Sequence, residues 1–558
     1  MKTMPHDTLQ SVVHLQETSL RDYLAKRETD LREGIAPAPL GLGSLALMVP
    51  LFCQPQSVYY ESAALTPLLD EGVAGLLATQ LASGCISLVN CNIDSPPDTA
   101  FTSHLVALLY QVAERSEQAS IQSVQAGLRT FLERARPCLL TGGIHTPNHR
   151  WVMSGALAKC YEIFGDEAYK RRAFQFLDEG FDLTEDGEWT ERSNAIYNGA
   201  CAIHLYDVGI AFGYEPALDA VRKNLTMMQY MLHPGDTVAT EYSGRQDLGQ
   251  TLPMNDWYYV SYHLMASLDR NPLFASMAQI TEQTSPKGSS VLIHWMLYPD
   301  AMPLAAEVEP LPEHYTAMLG EHHEAVVPMT VPYLGALAKH PHGATVVRHR
   351  SGKLSVTLMA AQHHAMYLQY GKARMFGFKL AAGWFGVAGV AFPTIRRLSE
   401  QSFAMEIALE GCYFNPLPKD EVAAYNGRYV DFPNRQREKT HVQHLPLRVT
   451  FILLEDGVDV RLESQAIPNI YLQTLCVFDP AGELTGDGLD ERSAYHSQLK
   501  GGDATYSYEG DTIRISSGAH EHHDPTMRND VLNRDLQTMT MNYVTPTDVT
   551  IRFRVAEQ

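Results

Sequence analysis

The sequence predicts a multidomain α and β protein: an N-terminal α/α toroid, built as an incomplete barrel of helix hairpins, followed by a C-terminal antiparallel β-sandwich. Three observations carry that expectation. Apolar positions recur at helical spacing from about residue 60 to residue 300, a helix hairpin repeats inside that span, and beyond Pro310-Leu311-Pro312 the texture changes to short β-branched and aromatic runs. The change divides the chain into a helical domain, 1–312, and a β domain, 313–558, with a functional cleft expected where they meet.

In the helical half the breaks are short Gly, Pro, Asn and Asp turns. YEIFGDEAYKRRAFQFL at 161–177 echoes IAFGYEPALDAVRKNL at 210–225, with the Phe164-Gly165 and Phe212-Gly213 turns 48 residues apart, and a third copy turns at Leu268-Asp269-Arg270-Asn271. Such a period fits one antiparallel helix pair. A lone pair cannot bury its apolar face, so the pairs must stack on one another. In the second half, runs such as ATVVRHR, KLSVTLMAA and DVTIRFRV read as strands, and residues 450–462 read as a hairpin around Asp456-Gly457. Roughly ten to fifteen such strands require a large sandwich or stacked antiparallel sheets.

Composition narrows the function. The chain has 558 residues, 45% hydrophobic and 19% charged, which excludes a disordered or low-complexity protein. Its 43 basic and 64 acidic residues leave a net charge of −21, so the global field repels polyanions and no nucleic-acid partner is expected. An acidic substrate must then be met by a local cluster of Arg, His and amide groups. Eight cysteines are scattered without C-x-x-C spacing, and most are expected to be buried free thiols. Without an apolar leader or a run of about 18 apolar residues, no membrane partner is expected and the chain reads as cytoplasmic, or as secreted or periplasmic if a signal peptide has been removed.

Three polar segments of the helical half carry candidate chemistry. Gly142-Gly143-Ile144-His145-Thr146-Pro147-Asn148-His149-Arg150-Trp151 is a loop fixed by glycines and a proline that opens a helix, whose N-terminus attracts anions. Thr146 or Asn148 equally suits a plain helix cap. Asp186-Gly187-Glu188-Trp189-Thr190-Glu191-Arg192-Ser193-Asn194-Ala195-Ile196-Tyr197 runs from a turn into a helix, where Tyr197 suits either a site or half-buried packing. Tyr197, Cys201 and His204 share one helix face, and His204 reads as a core histidine. In Glu241-Tyr242-Ser243-Gly244-Arg245-Gln246-Asp247, the planar fork of Arg245 suits a carboxylate ligand, or an internal pair with Glu241 or Asp247. Trp151, Trp189, Trp257 and Trp384, with Tyr258 and Tyr259, are sugar-stacking candidates as well as core residues. Glu321-His322-His323-Glu324 and His520-Glu521-His522-His523-Asp524 hold ligand types without H-E-x-x-H spacing. No cofactor is required and no metal is assigned to the site, with a structural divalent ion between β-domain loops left open.

In their order and spacing these segments resemble the heparinase II/III-like branch of polysaccharide lyases, whose fold is an α/α toroid followed by an antiparallel β-sandwich. The resemblance implies that His145 and Asn148, an H-x-x-N loop, neutralise a uronate carboxylate with help from Arg245. It implies that Tyr197, at the end of D-G-x-W-x-E-x-S-x-x-x-Y, is catalytic. A histidine near the start of the β domain completes such a site, here His340 or His342, with His349, His363 and His364 close behind. Arg150, Trp151, Trp189, Glu191, Arg192 and Gln246, in the same segments, are the expected substrate contacts. One departure stands out: the catalytic histidine of the related hyaluronate and chondroitin lyases aligns with Arg192, and their catalytic tyrosine with Cys201.

The implied reaction is β-elimination on an acidic poly- or oligosaccharide of glycosaminoglycan, alginate or glucuronan type. Removing the C5 proton of a uronate loads a second negative charge onto its carboxylate, which demands preorganised donors, a base for C5 and an acid for the departing O4. Two other functions fit the same residues. A glycoside hydrolase on an α/α toroid, such as an unsaturated-uronide hydrolase, would use a carboxylate pair from Asp186, Glu188, Glu191 and Asp247. A non-catalytic carbohydrate-binding protein would keep the aromatics alone. Whether copies of the chain form a homo-oligomer is left open.

Overall fold

The computed structural model describes residues 5–116, 118–304, 307–321, 328–329, 338–339, 345–423, 425, 427–465 and 467–557. Helices occupy the first half: α1 (Pro5–Arg32), α2 (Leu42–Cys53), α3 (Thr66–Ala78), α4 (Pro96–Glu114), α5 (Ala119–Thr141), α6 (His149–Phe164), α7 (Glu167–Leu177), α8 (Tyr197–Phe212), α9 (Glu215–Met227), α10 (Asp256–Asp269), α11 (Pro272–Thr284) and α12 (Ser289–Leu297). The helical region therefore starts well before residue 60. Helix α2 is apolar nearly all round and carries Pro50 inside it, so it lacks the period by which an amphipathic helix is read.

The even-numbered helices α2 to α12 each pack on the next, and α12 packs back on α2 and α4, closing a ring. Each odd-numbered helix from α3 to α11 packs on the even-numbered helix before it, outside the ring. Burial follows this order. Helix α8 buries every residue from Asn198 to Gly209, whereas α9 buries a single stripe that includes Ala217, Leu218, Val221 and Leu225.

The two ends of the ring are built differently. Helices α6, α8 and α10 each pass to the next helix through a two-residue turn, Gly165-Asp166, Gly213-Tyr214 and Arg270-Asn271, whose first residues sit in the left-handed region with φ of 64°, 62° and 50°. Glycine adopts that conformation without steric cost, which is why the FG turns repeat. Helices α5, α7 and α9 return to the next helix through longer loops, 142–148, 178–196 and 228–255. The even helices run in one direction, so these three loops gather at one end of the ring, beside the even helices' N-termini.

Among the described residues the β half holds a ten-stranded and an eight-stranded sheet, more strands than expected because short ones such as Val387–Gly389 and Arg396–Arg397 carry no hydrophobic alternation. Their pairings are antiparallel except that His496–Leu499 runs parallel to Gln537–Val544. The sheets share one core, in which Phe378 of the larger meets Phe451 and Phe553 of the smaller edge-on. In the hairpin Lys439–Leu454/Gly457–Ser464, Gly457 is the first paired residue of its strand, and a Cβ there would lie 2.0 Å from the Phe553 carbonyl oxygen. A close approach, as well as the turn, requires that glycine.

Two compact units result: Met1–Leu232, Asp236–Pro312 and Pro328–Lys339 form one, and His233–Gly235, Glu313–Val327 and His340–Gln558 the other. A short hairpin, Ile86–Leu88 with Asn92–Ser95, lies in the helical half. The expectation that most cysteines are buried free thiols needs correction: Cys85 and Cys138 form a disulfide, and of the six in no disulfide Cys160, Cys201 and Cys476 are buried, Cys53 and Cys412 are half-buried and Cys91 is exposed. Gly84 lets the chain before Cys85 approach α5 closely, since a Cβ at that position would lie 1.9 Å from the Arg134 carbonyl oxygen. No helix of the described residues is long and apolar enough to cross a membrane.

Candidate active site

One carboxylate ties the three long loops together. Glu191, in loop 178–196, accepts from the backbone N–H of Asn148 at 3.0 Å, from Asn148 Nδ2 at 2.8 and 2.9 Å, and from Arg245 Nη1 at 2.7 Å. Burial pushes the Glu191 pKa up, and the Arg245 charge and the Asn148 hydrogen bonds oppose that shift. Asn148 stands at the N-cap position of α6, yet its side chain does not cap the helix. Its amide nitrogen is committed to Glu191 and Thr146, while its Oδ1 is buried and accepts no hydrogen bond among the described residues.

Tyr197 opens α8 and is half-buried, with its N–H on Ser193 Oγ at 3.2 Å. The Arg245 guanidinium lies 4.7 Å from its ring centroid. Gln246 Nε2 donates to the phenol oxygen at 2.7 Å, so the phenol's own hydrogen points elsewhere. Behind this pair the buried Asp247 accepts from Ser193 Oγ, Ser243 Oγ and the Ala195 N–H, fixing loop 228–255 against the start of α8.

His145 is half-buried, its ring edge-on to His149 with centroids 4.7 Å apart. Burial lowers its pKa; Asp98 opposes that shift and the Arg245 charge reinforces it. His149, the first residue of α6, is buried more deeply and its pKa falls to about 3.

The structure thus gathers His145, Asn148, Glu191, Tyr197, Arg245 and Gln246 at one end of the ring. His340 and His342 lie outside the described residues. His349 is buried, with Nδ1 on Thr316 Oγ1 and Nε2 on the Leu454 carbonyl, which is an anchoring role within the β half.

Several expected substrate contacts are corrected. Trp151 and Trp189 are 1% and 2% exposed and pack on each other, with Phe181 stacked on Trp151, so neither offers a sugar platform. Trp384, Tyr258 and Tyr259 are buried too, and of the candidate aromatics only Trp257 is half-exposed. Arg150 reaches Asp182 and the Gly180 carbonyl, holding loop 178–196 in place. Arg192 is fully buried at φ 50°, donates to the Tyr242 carbonyl at 2.9 Å and faces the Tyr242 ring, so it joins two loops and meets no solvent. Glu188 is buried beside it, and burial, partly offset by Arg192, pushes its pKa up to about 7. Cys201, at the other departure from the chondroitin lyase pattern, is buried within α8.

The side chains around His522 are engaged within the β half. His522 donates to the Leu472 carbonyl and stacks on Tyr471, and Glu521 accepts from the Val544 N–H. Residues 322–324 of the other cluster are outside the described residues. Among the described residues no group of three or more His, Cys, Asp or Glu side chains is placed to hold a metal ion.

Sequence reasoning singled out Glu191 as a substrate contact and missed its role as the joint of three loops. It placed a helix cap near Ser193 or Asn194 and offered Asp247 or Glu241 as the internal partner of Arg245; Ser193 Oγ does accept the Tyr197 N–H, but it also donates to Asp247, and Arg245 pairs with Glu191. No spacing rule reports these pairings, because the partners lie 43 to 54 residues apart.

No family model matches the sequence, and neither does any curated protein. Among solved structures, the chain is similar to the chondroitin AC lyase of Streptomyces coelicolor A3 in complex with chondroitin sulphate, at 12% identity over 99% of this chain and 82% of that one, with a TM-score of 0.51. A tyrosine-to-alanine mutant of the same lyase gives 12% identity over 100% and 83%, also at 0.51. A heparinase III gives 8% identity over 92% and 78%, at 0.50. At these identities the likeness is one of fold: a helical toroid followed by antiparallel sheets.

Proposed function

We propose that this chain is a polysaccharide lyase, cleaving a uronate-containing poly- or oligosaccharide by β-elimination to leave a 4,5-unsaturated uronate end. The observation that carries the reading is the convergence of Asn148, Arg245 and Tyr197 through Glu191. Separate capping and packing roles would not need it.

Each group has one task. The guanidinium fork of Arg245 meets the uronate carboxylate. Asn148 donates from its amide nitrogen and its backbone N–H to Glu191, and so fixes the carboxylate that positions Arg245 where charge builds on the uronate. His145 takes the C5 proton; the electron pair forms the C4–C5 double bond as the C4–O4 bond breaks. Tyr197 gives its phenolic proton to O4, and proton exchange with solvent restores both residues. This assigns His145 as base rather than as a cationic partner of the carboxylate.

A hydrolase is favoured less, because Glu188, Glu191 and Asp247 are buried and cannot flank a glycosidic bond as a reachable pair. The fold neighbours, a heparinase III and a chondroitin AC lyase, support an acidic polysaccharide as substrate. The Cys85–Cys138 disulfide supports a secreted or periplasmic location over a cytoplasmic one.

Ultraviolet absorbance of a 4,5-unsaturated product, followed over a panel of polyuronates and glycosaminoglycans, tests the reading. Absorbance should rise with at least one polymer. No rise with any of them, or a fall when unsaturated oligosaccharides are supplied, sinks it.

A further inference from the structure

A fourth loop stands at the site end of the ring. Residues 79–95 join α3 to α4, include the hairpin Ile86–Leu88/Asn92–Ser95, and end where α4, an even-numbered helix, begins. Three contacts press this entry against the loop that carries His145. The Cys85–Cys138 disulfide fastens the base of the hairpin to the last turn of α5. A Cβ on Gly142 would lie 2.3 Å from Pro96 Cβ, so the first turn of α4 meets the start of loop 142–148 directly. Further along α4, Phe101 is edge-on to His149, whose ring meets that of His145.

Asp98 lies between those last two contacts, and its i, i+3 spacing from Phe101 puts both on one side of α4. Its half-buried carboxylate is held by one oxygen. Oδ2 accepts from Asn92 Nδ2 at 2.8 Å and from Ser95 Oγ at 2.5 Å, while Oδ1 accepts no hydrogen bond among the described residues. Helix capping does not account for this. Ser95 is the N-cap and its Oγ takes the Asp98 N–H at 3.3 Å, but in a capping box the carboxylate would return to the Ser95 backbone N–H. Here it turns to the Ser95 hydroxyl and, through Asn92, to the hairpin.

The surroundings of His145 give that carboxylate a use. Among the described residues, the titratable groups around its imidazole are Asp98 from α4, His149 from α6 and Arg245 from loop 228–255, which is itself paired with Glu191. Burial keeps His149 neutral, with a pKa of about 3. Arg245 opposes a positive charge on His145. Of the three, only Asp98 favours one. A base that takes a proton beside a guanidinium becomes an imidazolium in a repulsive field, and a nearby anchored carboxylate offsets that repulsion and fixes the ring.

We infer that Asp98 is a positioning residue for His145: an anchored carboxylate that orients the imidazole and stabilises the imidazolium formed when His145 takes a proton, with Asn92 of the hairpin fixing the carboxylate in turn. Asp98 keeps its charge throughout and takes no proton itself. The origin of the proton, C5 of a uronate, rests on the lyase reading; the pairing of Asp98 with His145 does not. Loop 79–95 thereby becomes a fourth part of the site, joined to it through α4 rather than through Glu191.

Two readouts test this, one of them without turnover. Long-range ¹H–¹⁵N spectra of the full chain, labelled at histidine and assigned by the signal lost in His145→Gln, follow the titration of His145. Asp98→Asn keeps the shape of the side chain and removes its charge, so the His145 pKa should fall; Asp98→Glu should hold it near the wild-type value. In the elimination assay Asp98→Asn should lower kcat about tenfold or more with KM little changed, and Asp98→Glu should recover most of the loss. The acid limb of the kcat profile should move to lower pH in Asp98→Asn, because a base of lower pKa stays deprotonated further into acid. Asn92→Ala frees the carboxylate without touching the helix and should shift both readouts the same way by less. A His145 titration unmoved in folded Asp98→Asn overturns the inference, as does an equal loss of kcat in Asp98→Asn and Asp98→Glu. Should Asp98→Asn fail to fold, an unmoved titration in Asn92→Ala overturns it. Absence of elimination on every polymer while the titration shifts as stated refutes the lyase reading and leaves the pair standing; elimination at wild-type kcat in Asp98→Asn refutes the positioning role and leaves the lyase reading standing.

Discussion

The two ends of the helical ring are joined by connections of opposite kinds. At one end Gly165, Gly213 and Arg270 reverse the chain in two residues each, with φ of 64°, 62° and 50°, and nothing lies within 4 Å of where a Cβ on either glycine would sit. At the other end Arg192 has the same φ of 50°, but it is buried, bonded across to Tyr242 and set beside Glu188. One end satisfies local backbone geometry. The other makes its left-handed residue, Arg192, a buried charge bonded across to a second loop, and strain held in this way gathers at functional sites. The same local conformation therefore has different consequences, decided by what surrounds it.

The largest effect should come from Tyr197→Phe, which removes one oxygen and keeps the ring under Arg245. Turnover should fall by about 10²- to 10⁴-fold while the melting temperature holds, and a variant keeping more than about a tenth of wild-type kcat would remove Tyr197 from the chemistry. Arg192→Gly relieves the backbone but strips Glu188 of its counter-charge, and should cost about 3–5 kcal/mol in denaturant unfolding. A gain in stability there would erase the contrast between the two ends. Asn148→Ala removes the side-chain donor that fixes Glu191, the carboxylate positioning Arg245, and should lower kcat by about 10²- to 10³-fold, with a smaller change in KM.

Glu188 makes the contrast pH-dependent. Its folded pKa of about 7 stands above the usual 4.5, so the folded protein binds the extra proton between those values. The group's contribution is fully present below pH 4.5 and is lost as pH rises through about 7, a change on the order of 3 kcal/mol. Glu188→Gln should flatten the profile, gaining stability at pH 8 and nothing at pH 4.5; an unchanged pH slope would show that the carboxyl does not titrate there. The smallest effect belongs to the turn end: Arg270→Gly, at an exposed left-handed position, should raise stability by up to about 1 kcal/mol and leave kcat untouched.

The ring's repeat could be read from the chain because its turns are local: a left-handed residue between two helices selects glycine whatever lies elsewhere, and the period follows. The third copy was readable too, although arginine replaces glycine, because Asn271 and Pro272 still mark the start of the next helix. Helix α2 was not, since a helix buried on all sides has no polar face to give it a period. Candidate site residues emerged as three segments, and the sequence marked each as polar and loop-forming without showing which side chains meet.

The sequence by itself determined the two architectures, the direction of the charge balance and the three segments that carry the polar groups. Only the tertiary structure decided that Glu191 is the joint of those segments, that Arg192, Trp151 and Trp189 are interior, and that Cys85 meets Cys138. The reason is physical. Periodicity and turn preference are set by neighbours a few residues apart, whereas burial, hydrogen-bond partnership and pKa depend on groups 40 or more positions away, brought together when the ring closes.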